Sequence, residues 1–108
     1  MRGATKAVKL WIPDGIHALE ADLNEKQVDE LFALMNSSQR HWAPTRMVAI
    51  GGAELKLING KTKKVSFLTI PGKWDAFQIE GSQFVTAPPG QIEKLIASWP
   101  LSTRLSNP

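Results

Sequence analysis

Residues 24–35 read NEKQVDELFALM, and this stretch decides the fold class. Val28, Leu31, Phe32 and Met35 recur at i, i+3, i+4 and i+7, so a helix here carries its apolar groups on one side. Asn24 stands where an N-cap belongs. Gln27, three residues on, completes a capping box, and Glu25 suits the positive end of the helix dipole. Asn36, Ser37 and Ser38 supply the stop. Near the other end of the chain, Ile92, Leu95, Ile96 and Trp99 repeat the same spacing. Pro89 suits the first turn of that helix, and Pro100 closes it. A helix with one apolar side needs a surface to cover, and the flanking segments supply a sheet.

Upstream, Val8, Leu10 and Ile12 alternate with Lys9 and Trp11, the period of a half-buried strand. Pro13-Asp14-Gly15 is a turn signal, and a second strand is expected over about residues 16–21. Downstream, residues 46–50 and 53–57 form strand segments around Gly51-Gly52, which marks either a tight turn or a bulge in one longer strand. Asn59-Gly60 marks a hairpin. A three-residue loop, Ile58-Asn59-Gly60, puts Leu55 and Leu57 on the same face as Val65 and Phe67, whereas a two-residue loop would flip one set outward. The apolar face therefore selects the longer loop, with Gly60 in the left-handed bulge position. Pro71-Gly72 ends that strand. Trp74 to Ile79 is the next, and Glu80-Gly81 predicts a two-residue hairpin that sets Phe77 opposite Phe84.

These segments predict an α+β fold in a single domain over residues 1–108: a mostly antiparallel sheet of five to seven strands with two helices packed on one face. The order is two strands, a helix, four or five strands, and a helix. Residues 101–108 are expected to form a loose tail.

Composition narrows the function classes. Hydrophobic residues at 43% and charged residues at 21% describe an ordinary globular domain. The absence of cysteine excludes disulfides, thiolate catalysis and cysteine-ligated zinc. A formal charge of +3 is too small to imply a polyanionic partner by itself. No apolar run approaches the roughly 20 residues of a membrane-spanning helix, so no membrane partner is expected. No apolar leader precedes the first strand. The expectation is cytoplasmic if Met1 is the natural start, and otherwise export with a leader removed.

Catalytic and metal signatures are weak. His17 and His41 are the two histidines, and nothing in their spacing brings them together with Asp75 or Glu20 as a metal site. No nucleophile elbow and no phosphate loop occurs, because Gly51-Gly52 is not followed by a helix-opening Gly-Lys-Ser or Gly-Lys-Thr. The sequence thus assigns no catalytic residue, no metal and no cofactor, and weighs against an enzyme.

Aromatic and basic residues carry the remaining signal. Trp99 fits the final helical stripe and belongs to the core. Trp11 alternates out of phase with Val8, Leu10 and Ile12, and Trp74 out of phase with Phe77 and Ile79. Trp42 lies in the polar connection of residues 37–45. If helices cover one face, Trp11 and Trp74 fall on the other, beside Lys9 and Arg46, as a recognition patch or dimer surface. The leading expectation is a small non-catalytic binding or protein-interaction module, with Trp11, Trp42 and Trp74 as anchors and a protein partner or a second copy bound. A second is nucleic-acid binding through Lys61, Lys63, Lys64 and Lys73, which flank the hairpin and the next turn. The competing structural reading of those lysines is a solubilised turn that protects a strand edge. A third is a small ligand-binding or enzymatic domain with a pocket near residues 37–45, at Arg40 and His41.

Overall fold

A computed structural model describes residues 2–14, 16–37, 39–41, 48–70, 72–80 and 84–105. A 3₁₀ turn at Arg2–Ala4 leads into β1 (Thr5–Asp14), β2 (His17–Asp22), α1 (Glu25–Ser37), β3 (Gln39–His41) and β4 (Val48–Leu57). There follow β5 (Thr62–Ile70), β6 (Trp74–Ile79), β7 (Phe84–Ala87), α2 (Gln91–Ala97) and β8 (Arg104–Leu105). The eight described strands form one antiparallel sheet in the order β3-β7-β6-β5-β4-β1-β2-β8. This is the α+β architecture that the periodicity implies. Six longer strands follow the sequence segments, and short β3 and β8 add one strand at each edge.

Each element forms for a local reason. The Asn24 side chain accepts the Gln27 N–H at 2.8 Å, and the Gln27 side chain accepts the Asn24 N–H at 2.9 Å. That is a complete capping box, and it satisfies two donors that α1 would otherwise leave orphaned. The β4–β5 hairpin has the three-residue loop that the apolar face selects. The Leu57 N–H donates to the Lys61 carbonyl at 2.8 Å, and Gly60 has φ of 85°. Leu55, Ala53 and Val65 consequently share a face. Gly51-Gly52 is no turn: β4 continues through it, with a bulge between Ala49 and Gly51.

Three expectations need correction. The strand β1 runs on through Pro13, which pairs with Ala18, and Asp14 pairs with His17. The last β1–β4 pair is Trp11–Gly52, so Pro13 has a partner strand on the β2 side alone, where a missing N–H is tolerated. The β6–β7 register is one residue away from the expected one. Phe77 opposes Val85, and Phe84 opposes Gln78. This register turns both Val85 and Ala87 into the core, whereas pairing Phe77 with Phe84 would have turned them out. Phe77 instead meets Phe67 of β5 edge to face, with ring centroids 5.6 Å apart. At the C-terminus, where a loose tail was expected, Arg104 and Leu105 pair with Glu20 and Leu19 of β2. Residues 106–108 lie outside the described residues.

One hydrophobic cluster joins Val28, Leu31, Phe32 and Met35 of α1 and Ile92 of α2 to Val8, Leu10, Leu55, Val65, Phe67, Phe77 and Ile79 of the strands. These strand positions define the inner face of the sheet. Trp99 belongs to the same cluster, and its indole N–H donates to the Glu30 carboxylate at 3.1 Å, which ties the end of α2 to α1.

Candidate interaction surface

Register assigns every other strand residue to the outer face. One row runs Asp22, Lys9, Glu54, Lys64 across β2, β1, β4 and β5, with charge alternating at each step. The next row on this face runs Glu20, Trp11, Gly52, Ser66, Gln78. Trp11 is therefore flanked by a carboxylate on one side and by a glycine on the other.

That glycine is the seat of the tryptophan. A Cβ on Gly52 would stand 2.5 Å from the Trp11 indole nitrogen and 2.9 Å from ring carbon Cε2. It would also stand 2.9 Å from the Val65 carbonyl oxygen. No real Cβ fits there, so the indole occupies the space a side chain would need. An aromatic ring laid over a cross-strand glycine covers backbone that glycine leaves bare. Trp11 remains 38% exposed. It is thus held on one side by packing and open to water on the other.

Trp74 shares the outer face and is 45% exposed, but it does not join Trp11. Three strand spacings and four residues along β6 separate them, about 20 Å by sheet geometry. The ground between is not uniformly open. Ala76, next to Trp74 on the outer side of β6, has no exposed area. Trp42 and Arg46 lie outside the described residues, as does most of the connection at residues 37–45 where a pocket was expected.

The lysines divide as well. Lys63 opposes Leu55 and therefore sits on the inner face, while Lys56 and Lys64 sit on the outer one. Lys64 lies across from Glu54, and its N–H donates to the Glu80 carboxylate at 3.0 Å. Lys9 meets Glu20 at 3.8 Å. Lys61 and Lys73 stand at opposite ends of β5, whose Thr62–Ile70 span is about 27 Å. A shallow depression of about 400 Å³ opens beside Lys9, Asp22, Glu54, Lys56 and Thr62, with both signs of charge on its walls.

Among the described residues Asp75 is the most buried acid, at 1% exposure, and it has a structural task. One carboxylate oxygen accepts the Thr69 hydroxyl at 2.9 Å, and the other accepts the Ile92 N–H at 2.9 Å. The strand β6 thereby caps α2 from a distance. His17 is exposed at the start of β2. Among the described residues, no three His, Asp or Glu side chains gather as a metal site.

Comparison with known protein families, with curated proteins and with solved structures finds no match. The arrangement of the outer face must therefore carry the functional reading.

Proposed function

We propose that this domain is a small non-catalytic protein-interaction module whose contact surface is the outer sheet face centred on Trp11. The observation that carries the reading is the seat of Trp11 on Gly52. A large aromatic side chain held in place before binding loses little freedom on contact, which is the property of a good anchor. The alternating charges of Asp22, Lys9, Glu54 and Lys64 make a polar rim on one side of it. This rim fits a protein surface of mixed charge better than a phosphate backbone, because each lysine in it stands beside a carboxylate. Trp74 lies too far away to join one small contact and is assigned no part in it.

The test is fragment mapping on the isotope-labelled full chain by NMR, with indole, phenol and small bicyclic aromatics as probes. Fragments concentrate where a protein surface can bind a partner side chain. The expected hits perturb the Trp11 indole N–H together with Gly52 and Ser66, and vanish in Trp11→Ala. Hits that gather elsewhere, or that persist in Trp11→Ala, contradict the proposal.

A further inference from the structure

The edge of β2 presents a second surface, which borders the Trp11 contact at Glu20 and Asp22 but offers backbone pairing in place of a ring. On its inner side β2 pairs with β1 over its full length, from His17 to Asp22. On its outer edge, among the described residues, the ladder to β8 covers Leu19 and Glu20 alone. A strand edge left with free N–H and C=O groups is a template for another extended chain.

The segment that occupies this edge shows what the edge accepts. Arg104 lies 3.5 Å from the Glu20 carboxylate and 3.4 Å from the Asp22 carboxylate. Glu20 and Asp22 are two residues apart on the same side of β2, so one guanidinium reaches both. Leu105 opposes Leu19 on the other side of the strand. The occupant is thus an extended Arg-Leu pair, antiparallel to β2, with the cation over two acids and the apolar residue over Leu19.

The hold on that occupant is slight. Arg104 has a side chain 50% exposed, and both its ion pairs are long. Leu105 is 61% exposed. Ion pairs with a partner this exposed contribute little and are screened by salt. Residues 101–103 form no regular structure, and Leu101 is the residue among them that packs against the core cluster.

We propose that the β2 edge is a docking site for an extended, arginine-bearing segment of another protein, and that Arg104–Leu105 is an internal placeholder which such a segment displaces. Glu20 and Asp22 select the arginine, and the backbone edge of β2 supplies the pairing. The placeholder competes in cis, so the apparent affinity for an added segment falls by the fraction of time the edge is covered.

The test uses the full chain, labelled for NMR, and a synthetic peptide of sequence PLSTRLSNP, which copies residues 100–108. The expected result is that the peptide shifts the amides of β2 and frees those of β8. Arg104→Glu in the protein, which releases the placeholder, should bind the peptide about tenfold more tightly than the unaltered chain. A peptide carrying glutamate in place of its arginine should not bind. The proposal is overturned if Arg104→Glu binds no more tightly than the unaltered chain, or if the shifts fall outside β2. It is also overturned if the glutamate peptide binds equally well. Concentration-dependent dimerisation of the unaltered chain, lost in Arg104→Glu, would make a second copy the occupant and overturn the assignment to a different protein.

Discussion

The two faces of the sheet hold their aromatic residues in opposite ways. On the inner face, Phe67 and Phe77 have no exposed area, and their rings meet at 90° inside the cluster that joins strands and helices. On the outer face, Trp11 is supported from below by Gly52 and left open above. The difference does not come from residue type, because all three are large and aromatic. It comes from register: a single step along a strand moves a side chain from one face to the other. The inner aromatics are enclosed by the fold, while the outer one keeps 38% of its surface open to water.

Substitutions can break this comparison or sharpen it. The largest loss should follow Phe67→Ala, at about 3–5 kcal/mol by urea unfolding, because a buried ring leaves a cavity in the cluster. A loss below about 1 kcal/mol would mean that the inner face is not the core. Asp75→Ala should cost about 2–3 kcal/mol in the same measurement, since it strips the Ile92 N–H of its acceptor. Asp75→Asn, which can still accept one bond, should cost less. Gly52→Ala should cost about 1–3 kcal/mol, because its Cβ meets both the Trp11 indole and the Val65 carbonyl. It should also move the Trp11 indole N–H resonance, and an unmoved resonance would mean that the ring has no such seat. Asn24→Ala should cost about 1 kcal/mol through the lost cap. Lys64→Ala should stay within about 0.5 kcal/mol, as expected for an exposed member of the charged row.

Much of the inner face was legible in the sequence, and much of the outer face was not. The capping box of Asn24 and Gln27, the Gly60 loop and the stripe of Ile92, Leu95 and Ile96 are local patterns, and local patterns report local structure; Trp99 reaches the core from beyond the end of α2 at Ala97. The apolar alternation also fixed the β4–β5 register, because a slip would have turned Val65 and Phe67 into water. The same logic failed at β6–β7. There a Phe77–Phe84 pair and the burial of Val85 and Ala87 favour different registers, and the burial of two residues wins. Long-range partners were harder still. Nothing near Asp75 in sequence announces that it caps a helix starting at Gln91, and nothing in residues 101–108 announces a strand on β2. Trp11 was legible as an outward residue, but its seat on Gly52 needed the β1–β4 pairing. That pairing joins Trp11 and Gly52, 41 residues apart in the chain, beyond the roughly 11–18 residues over which a periodic pattern is read.

Urea unfolding of Trp11→Ala beside Phe67→Ala tests most directly whether the outer aromatic belongs to binding rather than to the core. A loss of about 1 kcal/mol for Trp11→Ala, the scale of a single cross-strand pair, is the predicted result. A loss as large as that of Phe67→Ala would place Trp11 in the core and contradict the account.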